Sequence, residues 1–489
     1  MWLLVFLLTT AICGNDKIVD TGVVDWVWKG AVTHDSLVLK VGMQPNLHPE
    51  DSRLQDLFAR VEILDNNVAP SQNFASSRKE SFSNLLTFNI RELPLPNTAY
   101  KLSLIAYNVV LYESVFKTLP THGKPADIKI AFSSCMDDSD TTSNIFKTIE
   151  TLDPSLFIHL GDLHYENLVV NDTTIYEGAY RKALTSYLGT EMLNMKLPTI
   201  YMFDDHDFGP DNSDRESPGR DAAVSTYGKV VPHYPSKQGT VYQSFAIATT
   251  LFLLTDLRSS RVPNSAPDDI NKSVLGSEQK EWFKQMLLEG SRTYDTIVWC
   301  NTMPWIDEER KWGHFKTETA ELVEFIKQNS IQERVQLIII SGDAHMLAID
   351  DGTNSPGNIP VFHAAAIGRK GSIKGGPYSH GAFPGTNQFG LLSITKDNCI
   401  SFTAYREDTV LQSLNLCTNE TLKENMKYIP PPIIIRKIKR FGKKWVRRLE
   451  AKEPVPVLLT IAFVVLVKVS IGALIFYCSL DTKSKLKES

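Results

Sequence analysis

The chain has 489 residues, a formal net charge of −5 and 43% hydrophobic residues. That length allows two or three domains with a large core, and the apolar fraction is ordinary for a globular protein. The charge is too close to balance to point to nucleic acid, and no sequence-specific nucleic-acid partner is expected.

Trp2 to Cys13 is an apolar run followed by Gly14-Asn15-Asp16-Lys17. It is too short to span a bilayer and reads as a secretory signal over residues 1–14, although no Lys or Arg precedes it. The other reading is a buried strand. From Ile18 to Leu119, strand-like runs alternate with polar turns: Trp26 to Trp28, Ser36 to Val41, Phe58 to Leu64, Leu85 to Ile90 and Tyr100 to Tyr107. With no helical periodicity, residues 18–122 are expected to form a small β-sandwich of immunoglobulin or fibronectin type. Pro120 to Pro125 reads as a linker.

The pattern then changes. Strands expected at Ile128 to Ser133, Leu156 to Leu160, Pro198 to Phe203, Thr250 to Asp256, Thr296 to Asn301 and Val335 to Ser341 alternate with helical stretches. One helix is expected over Thr141 to Leu152, capped by Thr141 or Thr142. A second runs from Ser277, its cap, to Leu288, burying Trp282, Phe283, Met286 and Leu287. A third covers Thr317 to Gln328. This alternation implies βαβ units in an α/β domain over residues 126–430.

Residues 431–453 are strongly basic. Ile433 to Leu449 reads either as an amphipathic segment on a membrane surface or as a solvated stalk. Val455 to Leu480, broken only by Lys468, is long enough to span, and residues 481–489 form a short tail. With the signal, this predicts a single-pass type I protein held in the membrane by one C-terminal span, its bulk extracellular or in the secretory lumen. Sequons at Asn171, Asn271 and Asn419 fit that location as glycosylation sites. Cys399 and Cys417 lie close enough to form a disulfide there, while Cys300 reads as inert core. The oligomeric state is not legible.

Five fragments concentrate the chemistry: Cys135 in F-S-S-C-M-D-D, Asp162 and Tyr165 in H-L-G-D-L-H-Y-E, Asp204-Asp205-His206-Asp207, Asn301, and Asp343-Ala344-His345 in I-I-I-S-G-D-A-H. All but the third sit at or just past an apolar, β-branched run, and such strand ends gather into one crevice in an α/β sheet. Thiolate, carboxylate, phenolate, amide and imidazole are metal donors.

Taken in order, these fragments resemble the PhoD-type alkaline phosphatases and phosphodiesterases of the metallophosphatase superfamily. G-D-L-H-Y-E is similar to the family's G-D-x-x-Y-E, and D-D-H-D to D-D-H-E with a shortened acid at Asp207. T-D-L-R-S-S-R at Thr255 to Arg261 is similar to D-x-R-x-x-R, L-G-S-E-Q-K-E-W at Leu275 to Trp282 to L-G-x-x-Q-x-x-W, and S-G-D-A-H to G-D-x-H. W-V-W-K-G-A-V-T, which begins at Trp26, resembles the sandwich that precedes such catalytic domains. The resemblance implies a four-layer α/β/β/α sandwich that hydrolyses phosphate monoesters or diesters through a metal-bridged hydroxide.

The resemblance also implies roles. Asp162 resembles a bridging carboxylate. Cys135, Tyr165 and His345 resemble the ligands of a ferric subsite, since tyrosinate and thiolate donate well to Fe(III). Asp205 and Asp343 stand where related phosphatases carry Asn and His, so the second subsite resembles a Ca²⁺ site; Zn²⁺ or Mn²⁺ is the alternative. Asn301 reads as a further oxygen ligand or a turn former, and Asp204 and Asp207 as further metal or supporting carboxylates. His206 is expected to contact the phosphoryl group or protonate the leaving oxygen. Arg258, and less directly Arg261, reads as a fork of donors to phosphate or as a surface ion-pair partner. Residues 368–385, with Lys370, Lys374 and His380, read as a substrate loop or a plain glycine-rich connection. His233, His314 and His363 read as structural. The rival function is an inactive metal-binding relative acting as a cell-surface binding module.

Overall fold

The computed structural model describes residues 17–18, 22–47, 56–64, 71–76, 84–137, 143–306 and 310–417. They lie in one compact unit, residues 1–423. The signal segment 1–14, the basic segment 431–453, the expected span 455–480, the tail 481–489, Asn419, and the helix caps Thr141 and Thr142 fall outside the described residues.

The expected fold class and location require correction. The structure is rich in sheet with a few helices, and among the described residues no helix is long and apolar enough to cross a membrane. The longest described helix, Gly276–Thr293, has 18 residues but carries Glu278, Lys280, Glu281, Lys284, Glu289 and Arg292. The C-terminal transmembrane helix, the membrane as partner and the single-pass location are therefore unsupported.

Two sheets carry the site. One has six strands in the order Thr199–Met202, Leu156–Leu160, Ile128–Ser133, Gln388–Ile394, Ile400–Arg406 and Thr409–Leu416. Its first three are parallel and the rest antiparallel. The other has seven, with Thr250–Leu254, Thr296–Asn301, Gln336–Ser341 and Val361–Ala364 parallel in its middle. Antiparallel strands flank these: Gln243–Ile247 on one side, Met346–Asp350 and Ala382–Pro384 on the other.

The seven-stranded sheet is buried on both faces, and its side chains sort by parity as a pleat requires. Val298, Cys300, Ile338 and Ile340 join a core shared with Phe132, Leu392 and Phe402 of the six-stranded sheet. Ile297, Trp299, Leu337 and Ile339 join a second core with Phe283, Leu287, Leu322 and Ile326 of the covering helices. Phe362 stacks on Phe402 across the sheets at 4.8 Å.

The helices differ in detail from the sequence expectation. The first covers Ile145–Thr151 with Asn144 at its N-cap. The second runs on to Thr293 and starts at Gly276, whose φ of +70° sets the entry. Its buried face is Gln279, Phe283, Leu287 and Gly290, with Trp282 packed half-buried against Tyr242 at 4.8 Å. The third is Lys316–Gln328.

The N-terminal strands form a three-stranded sheet (Val24–Gly30, Leu37–Met43, Leu85–Ile90) and a five-stranded one that includes Ala99–Ala106 and Val109–Lys117. They cover the edge strand Thr199–Met202, whose exposed backbone would otherwise invite pairing. Trp28 Nε1 donates to the Thr199 carbonyl at 3.0 Å, and Lys29 Nζ to that of Met195 at 2.8 Å. The strand that leads into Asp204 is thus fixed from both sides. Cys399 and Cys417 form a disulfide that closes the hairpin Ile400–Arg406 with Thr409–Leu416, where Ile400 pairs with Leu416.

Candidate metal centre

Parallel strands end on one edge, and four of them deliver an acidic or thiol side chain at the same offset. Cys135, Asp162, Asp204 and Asp343 each stand two residues past a strand end, at Ser133, Leu160, Met202 and Ser341. The acidic run at Asp204 therefore also arises at a strand end, that of the strand expected over Pro198 to Phe203. Cys135, Asp162 and Asp343 share a left-handed backbone, with φ of +60°, +57° and +70°. This conformation is uncommon outside glycine and turns the side chain back over the strand ends.

Glycines permit the close approach. A Cβ on Gly161 would lie 2.4 Å from Asp204 Cβ, and one on Gly342 would lie 2.5 Å from Ser134 Oγ and 2.9 Å from the Leu160 carbonyl. Ser134 Oγ accepts the Asp343 amide at 3.1 Å and so ties the two sheets together at the site.

Asp162 is the shared member. Its Oδ2 accepts from the Tyr165 hydroxyl at 3.0 Å and lies 3.5 Å from Cys135 Sγ. Asp162 also groups with Asp204, Asp205 and Asp343, all buried, and with Asp205 and His206; in each group one donor atom per residue lies within 4.8 Å of the others. The fit to multivalent cations is visible in the orphaned atoms. Asp204 Oδ2, Asp205 Oδ1 and Asp343 Oδ2 are buried without a hydrogen-bond partner. Such concentrated buried charge needs compensation.

Burial, then the surrounding carboxylates, pushes Asp162 well above the usual carboxylate range. Burial, Asp162 and Asp343 push the Cys135 thiol up, and burial with Asp162 does the same to Tyr165. A bound cation inverts this balance and favours thiolate and phenolate. Asp343 differs: burial pushes it up, but Lys311 and Lys374 outweigh that and hold it well below the usual range. Asp205 is likewise held low by Arg258 and Lys311 against burial.

His345 Nδ1 lies 2.9 Å from the Lys370 carbonyl. A carbonyl only accepts, so Nδ1 carries the proton and Nε2 keeps a lone pair, as metal-binding imidazoles require. Burial, then Lys374, pushes this ring down to about 4. Behind it, His363 bridges Ser341 Oγ at 2.8 Å and the Ala344 carbonyl at 2.7 Å.

His206 begins at the same edge, its amide 3.3 Å from Asp162 Oδ1. Its Nδ1 lies 2.6 Å from Asn167 Oδ1, while Asn167 Nδ2 donates to the Tyr165 carbonyl at 2.8 Å. The second bond fixes the amide orientation, so His206 Nδ1 is protonated, while Nε2 turns the other way and lies 3.8 Å from Asp211 Oδ1. Asp207 turns the other way. Its carboxylate accepts the amides of Asp162 (2.6 Å), Leu163 (2.7 Å), His164 (3.1 Å) and Asp204 (3.0 Å) and thereby shapes both loops.

Arg258 and Arg261 are fully buried, not surface partners. Arg258 Nε donates to Asp204 Oδ1 at 2.6 Å, and its Nη2 lies 3.5 Å from Asp205 Oδ1. Gln279 positions it indirectly by clamping the Asp256 amide and carbonyl at 2.7 Å each; Asp256 Oδ1 accepts the Arg258 amide at 2.9 Å. Arg261 points away, over Phe315 at 5.1 Å. Asn301 ends its strand, and its Oδ1 accepts from Trp312 Nε1 at 3.1 Å. Asn171 and Asn271 are exposed.

Sequence reasoning missed several neighbours. Thr302 Oγ1 donates to Asp204 Oδ1 at 2.9 Å. Arg369 lies 4.2 Å over the Tyr165 ring and pairs with Asp137 at 2.6 Å. Lys374, read in the sequence only as part of a substrate loop or a plain glycine-rich connection, lies 3.4 Å from Asp343 Oδ1, a pairing that reading lacks. Lys311 lies between Asp205 and Asp343. Isolated cations carry no spacing signal; only the excess of acids over bases at the strand ends hinted at them.

Residues 130–368 match the PhoD-like phosphatase family model. Among solved structures, that of PhoD aligns with 16% identity and a TM-score of 0.62, covering 80% of this chain and 88% of that one. Purple acid phosphatase PPD1 from yellow lupin (Lupinus luteus) seeds aligns with 12% identity and a TM-score of 0.55, covering 80% and 73%. No curated protein matches. The ordered donors at the two sheet edges and the match over residues 130–368 identify that region as a PhoD-like phosphatase domain.

Proposed function

We propose that the chain is a metal-dependent phosphoric ester hydrolase of the alkaline phosphatase/phosphodiesterase type. The observation that carries this reading is Asp162, a buried carboxylate common to a thiol–phenol pair and to a cluster of carboxylates. The softer, strongly donating side (Cys135, Tyr165 and His345) suits Fe³⁺. The oxygen-rich side (Asp205, Asp343 and, beyond them, Asn301) suits Ca²⁺. Cations held there supply a water nucleophile near neutral pH and polarise the phosphoryl oxygens.

The chain's own residues do the rest. Asn167 holds the His206 ring through Nδ1, so that Nε2 is the atom that, when it carries a proton, gives it to the leaving oxygen. Arg258, being buried, acts as a positioning residue that orients Asp204 and Asp205 rather than as a fork to the phosphate. No Ser or Thr nucleophile is invoked, and no covalent phosphoenzyme is expected.

The test is hydrolysis of p-nitrophenyl phosphate and its bis-ester, with and without chelator, alongside elemental analysis. Chelator-sensitive turnover of either ester supports the reading, and the preferred ester assigns mono- or diesterase. Zn or Mn in place of Fe and Ca would replace the metal assignment. Metal-loaded protein that turns over neither ester would favour the inactive binding module.

A further inference from the structure

Lys311 lies in the middle of the candidate donors, although nothing in its sequence context marks it. It is 1% exposed, and its Nζ lies 2.9 Å from Asp343 Oδ1 and 3.5 Å from Asp205 Oδ2. These are the two carboxylates that the second, oxygen-rich subsite requires. They come from different sheets, so Lys311 bridges the crevice. Its position is built in. The next residue, Trp312, is buried, bonds Asn301, and packs on Trp299 at 5.7 Å and Trp305 at 5.0 Å. Both carboxylates still keep a buried oxygen with no hydrogen bond, Asp205 Oδ1 and Asp343 Oδ2. Lys311 is the cation shared by both carboxylates, beside Arg258 at 3.5 Å from Asp205 Oδ1 and Lys374 at 3.4 Å from Asp343 Oδ1, and together they leave donor oxygens without a hydrogen bond. Asp162, by contrast, faces the Cys135 thiol, the Tyr165 hydroxyl and the His206 amide.

We propose that Lys311 is a tethered counter-ion that competes with the second cation for Asp205 and Asp343. A lysine has a flexible four-carbon stem and a compact charge, so it can withdraw where a rigid guanidinium would not. The second subsite is then exchangeable, filled according to divalent-ion concentration, while the Cys135 side holds the resident ion. This inference rests on the metal reading of the same site.

The experiment titrates iron-loaded, full-length protein with Ca²⁺ by calorimetry, as wild type, Lys311→Met and Lys311→Arg. Removing a like charge this close to the ligand oxygens should tighten Ca²⁺ binding about tenfold to a thousandfold. Lys311→Arg should bind no tighter than wild type. Equal or weaker binding by Lys311→Met overturns the proposal. In wild-type protein, acetylation of Lys311, read by peptide mass spectrometry, should rise as Ca²⁺ saturates. Unchanged protection at saturating Ca²⁺ overturns the proposal whether or not the variants fold. Protein that retains no multivalent ion at all overturns the metal reading itself, and this inference with it.

Discussion

Replacing Asp207 with Asn tests whether one side chain builds the crevice. The wild-type carboxylate accepts four amides, from Asp162, Leu163, His164 and Asp204, at 2.6–3.1 Å. Asn keeps the size but offers one acceptor oxygen, and its NH₂ faces donors. About two of the four amides are then left buried without an acceptor, each costing about 1–3 kcal/mol. The expected loss is about 2–6 kcal/mol, a large share of the roughly 5–15 kcal/mol that holds a typical domain. Urea unfolding followed by tryptophan fluorescence measures it, and metal analysis of the same samples reads the site. Because Asp162 and Asp204 hang on these bonds, metal content should fall with stability. A variant within about 1 kcal/mol of wild type, with its metal intact, would refute the role given to Asp207.

Cys135→Ser should cut iron retention about tenfold or more and bleach any tyrosinate-to-iron charge-transfer band; unchanged absorbance removes Cys135 from the site. His206→Ala should keep its metals and lose turnover by about 10²–10⁴-fold, whereas a fall in metal content would make His206 a ligand. Replacing both Cys399 and Cys417 with Ser opens an 18-residue separation and should cost about 3 kcal/mol in denaturant unfolding while leaving turnover unchanged. His159 lies buried among Phe157 and Tyr201 with both ring nitrogens unpartnered, and burial pushes it down to about 3. The unfolded ring takes a proton near pH 6.5, so stability present above that pH drains away as pH falls toward 3, by about 3 kcal/mol at pH 4. His159→Phe should flatten that part of a Tm-versus-pH curve, and an unaltered slope would exclude His159 as its source.

The parallel strands are legible in the sequence because sheets buried on both faces require unbroken apolar runs. Thr296–Asn301 is buried throughout, and Gln336–Ser341 opens at the half-buried Gln336 and is apolar from Leu337 to Ile340. The donors are legible because they follow such runs directly. The antiparallel additions are not. Gln388–Ile394 pairs with Ile128–Ser133, far earlier in the chain, and no local pattern encodes such a partner. The sequence understates the helix Gly276–Thr293 because its last turns carry Gly290 and Ser291, which pack tightly yet read as breakers. Arg258 reads as a surface or substrate cation because its burial depends on Asp204 and Asp205 arriving from another sheet. The expected membrane span fails for a different reason: it rests on hydropathy alone, and no described helix has that character.

The shared left-handed step at Cys135, Asp162 and Asp343 has a practical consequence for mutational scanning. L-residues lose roughly 1–2 kcal/mol to this twist, glycine almost nothing, and asparagine tolerates it better than most. Glycine replacements would therefore relax the chain while deleting the donor, and valine replacements would fail for reasons of backbone shape. Asp162→Asn and Asp343→Asn alter charge with the least conformational side effect, so they are the substitutions whose readout speaks to chemistry.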